Sequence, residues 1–318
     1  MNNILLEPLQ VDDKFHNVIT FHQLYGGTSG RKFYRVLLEN LGIAILCDAS
    51  SVKHPKQMIH RHIIATSIFR KRNISAPKII SSDFERWILF EDVGTRTLAN
   101  LLSGQNMLKN SQLSKIGTML RGISTVSLTS EEYYDVGTWE NSSVHQKWIL
   151  NLHGDCKKFA EELKSALTDL PHALMHGDMQ CRNLLWNDTN RLSIVDLQDA
   201  TWAPYVLDTS LLYVDPNFEK ALLDPATAVD LLNPSFKGRP LVIEEIKLGM
   251  LFQCFRLMHR CYDLWRRGFG YNFLREAEHS KNKILSSNFI QHLSPYISNT
   301  WINILNKHEY RDCTASSN

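Results

Sequence analysis

Three oxygen-bearing side chains carry the most chemistry in this sequence: Asp178, Asn183 and Asp196, all within HGDMQCRNLLWNDTNRLSIVDLQDA, His176 to Ala200. A loop carboxylate can accept the proton of an attacking hydroxyl. A carboxamide and a second carboxylate suit Mg2+, which takes oxygen ligands and usually only one or two carboxylates besides substrate phosphates. Phosphoryl transfer needs this combination, because it asks for held metal ions and a base but little covalent help. A lone loop aspartate is ordinarily a turn or cap residue. The spacing separates this set from that background: Asn183 follows Asp178 by five residues, and Asp196 ends the next apolar strand. The chain also holds an internal control. His153-Gly154-Asp155 repeats the tripeptide, but Ala160 stands where the asparagine is needed and no carboxylate-ending strand follows. That copy is expected to be inert.

These side chains need a loop, a strand, a turn and a second strand to hold them. Asn183 to Leu197 reads as that interlude, with an Asn-Asp turn at its centre. Helical periodicity surrounds it. Leu98, Leu101 and Leu102, then Leu113, Ile116, Leu120 and Ile123, then much of Val144 to Leu170, repeat at helical spacing. The strongest helix is expected over Glu244 to Arg267, with Leu248, Leu251, Phe252, Phe255, Tyr262 and Trp265 on its core face. Upstream, the first ninety residues read as β-rich. Phe33 to Leu38 and Ile43 to Cys47 flank a turn containing Asn40 and Gly42, a helix is expected from Pro55 to Arg72, and Trp87 to Phe90 is a further strand. The expected class is α+β, with a small β-rich N-terminal lobe over residues 1–92 and a larger, mainly helical C-terminal lobe over 93–318.

Composition narrows the partners. The 318 residues are 43% hydrophobic and 21% charged with a formal charge of +2, which disfavours disorder and gives no electrostatic footprint for nucleic acid. The start carries no basic segment followed by an apolar one, and no apolar run approaches the roughly 20 residues of a membrane span. A cytoplasmic protein with a small-molecule partner, and neither membrane nor nucleic acid, is the expectation. Cys47, Cys156, Cys181, Cys254, Cys261 and Cys313 are scattered without a CxxC pair, so they read as free thiols.

His176 to Asn183, taken with Ile194 to Asp196, resembles the catalytic and metal loops of the aminoglycoside phosphotransferase and choline kinase superfamily, whose fold is similar to that of protein kinases. The resemblance implies ATP and Mg2+ as cofactors and a small-molecule hydroxyl as acceptor. It assigns Asp178 as base, Asn183 and Asp196 as metal ligands, and His176 and Asp208 as structural support. It runs on through DLQDATWAPYVLDTSLL, Asp196 to Leu212, which is especially similar to the branch that phosphorylates the anomeric hydroxyl of N-acetylmuramate and N-acetylglucosamine. Gln198 and Asp199 are the candidate substrate contacts. GGTSGRKFYRV resembles the loop that covers the nucleotide, which places Gly26, Gly27, Thr28, Ser29 and Gly30 over phosphates. WILFEDVG resembles the hinge, with backbone groups near Glu91 and Val93 for adenine.

The sequence departs from the kinase pattern at the third strand. A lysine there ordinarily holds the phosphates, paired with a glutamate on the next helix. Here Cys47 and Asp48 stand near its place, and the helix offers His60, Arg61 and His62 but no glutamate. Arg31, Lys32, Arg35, Lys53 and Lys56 are the candidate replacements, and the sequence does not choose among them. An aminoglycoside- or choline-type kinase, or a pseudokinase that binds nucleotide with weak turnover, are the competing readings. Asp215, Glu219, Asp224 and Asp230 are too interspersed with basic and apolar residues to look like a dedicated cation trap.

Overall fold

A computed structural model of the chain describes residues 18–24, 30–39, 41–104, 108–140, 148–150, 152, 154–219, 243–268 and 271–285. The elements in chain order are β1 (Val18–Leu24), β2 (Lys32–Leu38), β3 (Gly42–Asp48), α1 (Pro55–Lys71), β4 (Ile79–Ser82), β5 (Trp87–Glu91), β6 (Arg96–Thr97), α2 (Leu98–Gly104), α3 (Asn110–Ser124), α4 (Ser130–Val136), α5 (Gly154–Thr168), β7 (His172–Met175), β8 (Leu184–Trp186), β9 (Leu192–Ile194), β10 (Thr201–Pro204), α6 (Leu207–Val214), α7 (Pro216–Glu219), α8 (Ile243–Arg266) and α9 (Tyr271–Leu285). The chain divides into two compact units. One comprises the residues up to Arg96 together with Leu185–Gln198; the other comprises Thr97–Leu184 and the residues from Asp199 onward. The architecture is α+β.

The first unit is built on an antiparallel sheet in the order β1-β2-β3-β5-β4. Successive residues of a strand point to opposite faces, so the sheet has a separate core on each side. Tyr34, Val36, Leu38, Ala44, Leu46, Trp87 and Leu89 pack on one side. Cys47, Ala49, Ile88 and Phe90 pack on the other with Ile59 of α1. Helix α1 starts with Pro at its first turn and carries Arg70 and Lys71 in its last, where they complement the helix dipole. It buries Ile59, His62, Ala65, Thr66, Ile68 and Phe69. Ile59 is fully enclosed, so its truncation to Ala should cost about 2–5 kcal/mol.

The segment Leu185–Gln198 belongs to this unit because its strands are tied to the chain that follows α1. Ile194 N donates to Ser75 O at 2.9 Å, the Ser75 and Ser193 hydroxyls pair at 2.8 Å, and Arg191 Nε donates to Ser75 Oγ at 3.0 Å. Gly94 has φ +128°, and a Cβ there would meet Trp186 O and the Asn187 backbone. Glycine at this position is therefore required on both conformational and steric grounds.

The second unit is mainly helical, around α8. Trp139, Trp148 and Phe159 close on Phe252 and Phe255 with ring centroids 5.1–5.7 Å apart, mostly edge-on or tilted, the arrangements aromatic pairs favour. Leu248, Leu251 and Tyr262 are buried on the same helix, whereas Trp265 is only half-buried and Leu264 takes the core position beside it. At Gly249 a Cβ would collide with the Ser210 side chain, and the missing side chain lets α6 approach until Ser210 Oγ donates to Ile246 O at 3.1 Å. Gln253 Nε2 donates to Leu207 O at 3.1 Å and ties the two helices again.

The sequence reading placed one β interlude among the helices, and the fold has a second. β7 and β10 pair antiparallel, Met175 opposite Thr201 and His172 opposite Pro204. At four residues each, these strands are too short for periodicity to mark. Among the described residues no helix is long and apolar enough to cross a membrane.

Candidate functional site

The loop after β7 is fixed from below by one buried carboxylate. Asp208, at the start of α6, accepts from the backbone N–H of His176 at 2.6 Å and of Gly177 at 3.0 Å. The His176 ring is fully buried, and its Nδ1 accepts from Asp178 N at 3.1 Å. Burial pushes the Asp208 carboxyl above the usual aspartate range, while the two N–H donors pull it back. Gly177 has φ +82°, and a Cβ there would collide with Asp199 O, so only glycine allows the loop to turn against Asp199.

Asp178 is 7% exposed. Asn183, in the 3-10 turn Cys181–Asn183, donates its Nδ2 to Asp178 O at 2.7 Å and to Asp178 Oδ2 at 3.1 Å. Those bonds leave the Asn183 carboxamide oxygen, the atom a hard cation would take, outside the contact. They also leave Asp178 Oδ1 buried with no hydrogen-bond partner. A buried carboxylate oxygen without a donor is costly, and such an atom in a native site points to a ligand or a catalytic role. The far end of the loop is held by Asp215, which accepts from Cys181 N at 2.9 Å and from the Asn217 backbone and side chain at 2.9 and 3.2 Å.

In the first unit Asp196 follows β9 with φ +71°, a left-handed conformation uncommon for a non-glycine residue and worth attention where it occurs. Its carboxylate is gripped by Arg31: Nη1 meets Oδ1 and Nη2 donates to Oδ2 at 3.0 Å. Arg31 Nη1 also donates to Gln198 Oε1 at 2.8 Å. Glu91 ends β5 with an exposed side chain that accepts from Lys78 N at 3.0 Å, and its own N–H donates to Lys78 O at 2.8 Å. Val93 is half-buried, and Asp92 between them pairs with Arg35 at 2.8 Å.

The structure thus brings His176, Asp178, Asn183, Asp199 and Asp208 together in one unit, and Asp196 and Gln198 together in the other. Gly30 has φ +80° and precedes Arg31; Gly26, Gly27, Thr28 and Ser29 lie outside the described residues, as do Asn40, His153, the side chain of Asp155, Asp224, Asp230 and Cys313. Cys47, Cys156, Cys181, Cys254 and Cys261 are buried thiols outside any disulfide, as expected. Among the described residues no group of three or more His, Cys, Asp or Glu side chains is arranged to hold a metal. The set proposed from sequence includes an amide and so differs in kind.

Two participants escaped the sequence reading. Asp215 looked like one of several scattered acids, and its anchoring role depends on a fold contact. Arg256 lies on the helix expected from its apolar core face. It is 2% exposed, donates Nε to Gln253 Oε1 at 2.7 Å, and keeps Nη2 buried without a partner. Burial lowers its pKa to about 10, against the opposing pull of Asp178, Asp199 and Asp208. An Arg in the middle of a long amphipathic helix carries no sequence signal of that role.

Residues 20–232 match the model of the phosphotransferase enzyme family. The chain belongs to that family. Among curated proteins none matches it. Solved structures carry the same fold at low identity. The phosphotransferase chain superposes on a choline/ethanolamine kinase family protein from Mesorhizobium loti with a TM-score of 0.66 at 15% identity, covering 91% of this chain and 96% of that one. It superposes on the choline kinase LicA from Streptococcus pneumoniae with a TM-score of 0.66 at 15% identity, covering 92% and 98%. A spectinomycin phosphotransferase bound to ADP and spectinomycin gives 0.62 at 13%, covering 93% and 98%. The fold of this phosphotransferase is therefore kinase-like, as the sequence led one to expect.

Proposed function

We propose that this phosphotransferase transfers the γ-phosphoryl group of ATP, with Mg2+, to a hydroxyl of a small molecule in the cytoplasm. In this reading Asp178 accepts the hydroxyl proton, Asn183 and Asp196 are metal ligands, Gly26 to Gly30 cover the phosphates, and backbone near Glu91 and Val93 meets adenine. The supporting observation is Asp178 itself: one oxygen occupied by Asn183, the other buried and without a donor. A hydroxyl donating to that oxygen would relieve its desolvation and place its proton on the base. Mg2+ would supply charge neutralisation on the phosphates, and the Asn183 carboxamide oxygen is chemically suited to it.

An N-acetyl amino sugar is the proposed acceptor. Its support is the DLQDA run and the buried Arg256 in electrostatic reach of Asp178, which disfavours a cationic group beside the base. The alternative is a choline- or aminoglycoside-type acceptor, which the family and the fold accommodate equally. Asp215, a candidate for binding such a cation, is 7% exposed and committed to Cys181 and Asn217. Radiolabelled ATP offered with N-acetylmuramate, N-acetylglucosamine, aminoglycosides and choline separates these readings. Label appearing in an N-acetyl sugar phosphate is the expected result. Transfer to choline or an aminoglycoside alone would replace the acceptor, and transfer to nothing would favour a nucleotide-binding pseudokinase.

A further inference from the structure

The third strand of this chain lacks the lysine that holds phosphates in the kinase pattern, and among the described residues of the first unit Arg31 is placed to replace it. Lys32 and Lys53 are exposed, Lys56 makes an exposed pair with Glu85 at 3.3 Å, and Arg35 is committed to Asp92. Arg31 is 9% exposed and stacks its guanidinium 5.5 Å from the centroid of Phe33. It immediately precedes β2, whose first residue Lys32 lies opposite Asp48 at the end of β3. Its charge also acts on the Cys47 thiol, offsetting part of the burial that pushes that thiol up to about 12. The guanidinium therefore sits where β3 ends and the lysine is missing.

The Arg31 guanidinium is already engaged. It covers both oxygens of Asp196 and takes the Gln198 side-chain oxygen as well. A guanidinium bidentate on a carboxylate is among the strongest charge-assisted contacts a protein makes, and by neutralising the charge and taking the lone pairs that face it, it competes with a divalent cation for those two oxygens. The planar fork matches phosphate oxygens as well as it matches carboxylate.

We propose that Arg31 is the phosphate-binding cation of this unit, and that its grip on Asp196 and Gln198 is a resting clamp. The clamp keeps divalent cations off Asp196 until the guanidinium turns to the phosphates of a nucleoside triphosphate. This rests on the kinase reading, and it adds that metal and nucleotide binding are positively coupled through one side chain. Gln198 is then a stop for the arginine instead of a substrate contact.

The test uses the full chain, with Mn2+ binding followed by electron paramagnetic resonance and nucleotide binding by calorimetry. Without nucleotide, Arg31→Gln should bind Mn2+ about tenfold or more tighter than wild type, a shift of about 1.4 kcal/mol. Adding Asp196→Asn to that variant should erase the gain. The same Arg31→Gln protein should lose about tenfold or more in affinity for the triphosphate while adenosine binds unchanged, and Arg31→Lys should recover part of the loss. Unchanged or weaker Mn2+ binding by Arg31→Gln overturns the clamp. Wild-type triphosphate affinity in Arg31→Gln overturns the phosphate assignment and leaves the kinase reading standing, whereas a wild-type chain that binds no triphosphate removes both.

Discussion

Two aspartates proposed for the same reaction are held in opposite ways. Asp178 belongs to a loop fixed by main-chain contacts: Asp208 takes two backbone N–H groups, His176 takes a third, Asn183 bonds the carboxylate, and one oxygen remains without a donor. Asp196 has a left-handed backbone, and both of its carboxylate oxygens pair with the side chain of Arg31. A base must be aligned before the acceptor arrives, because a misplacement of a fraction of an ångström is expensive in rate. A carboxylate proposed as a metal ligand has a different need, compensation of its charge, and a displaceable counterion can supply it. The contrast is between a preorganised carboxylate and a capped one.

The comparison is broken most decisively at its preorganised end. Asp178→Asn keeps the Asn183-facing geometry and removes the proton acceptor, so turnover should fall by about 10²–10⁴-fold while the melting temperature and nucleotide affinity stay near wild type. Steady-state kinetics beside a thermal melt reads both. Asp208→Ala leaves two buried N–H groups without an acceptor and should cost about 4 kcal/mol of stability, measured by urea denaturation. A loss below about 1 kcal/mol would mean that the loop is not held from α6.

The packing of α8 behind that loop can be sharpened by pH. His259 is 4% exposed, and burial lowers its pKa to about 4, against the pull of Asp263 and with the aid of Arg266. The unfolded chain therefore binds more protons than the folded one between about pH 6.5 and 4, and stability falls as pH drops through that window, by up to about 3 kcal/mol from this group. Denaturation midpoints of wild type and His259→Gln, compared across the window, should show a flatter slope in the variant. The smallest effect belongs to the capped side. Gln198→Ala removes one of the contacts of Arg31 and should change triphosphate affinity by less than about fivefold, or about 1 kcal/mol. A much larger loss with intact Mn2+ coupling would return Gln198 to direct ligand contact.

The elements that carry the chemistry were legible because their signals are local. Short apolar or alternating runs marked β2, β3 and β5, helical spacing marked α1 and α8, and the strand-turn-strand pattern around an Asn-Asp turn over Asn183 to Leu197 marked β8 and β9. The short β7–β10 pair was not, since four-residue strands far apart in sequence carry no period. The pairings around the site were legible only in part. HGD, the asparagine five residues on and the later aspartate could be singled out by spacing. The partner of Asp196 could not, because Arg31 lies 165 positions away, one of five candidate cations, and only the fold brings it to β9. Asp215 and Arg256 were missed for the same reason: a buried charge announces itself through its neighbours, and those neighbours are distant in the chain.

Asp178 is proposed above all as the base for a hydroxyl that receives phosphate from ATP. The most direct measurement is single-turnover transfer of γ-labelled phosphate to whichever acceptor the panel selects, by wild type and by Asp178→Asn at saturating nucleotide. The account predicts a transfer rate at least about a hundredfold lower in the variant with nucleotide still bound. Equal transfer rates in the two proteins would contradict it.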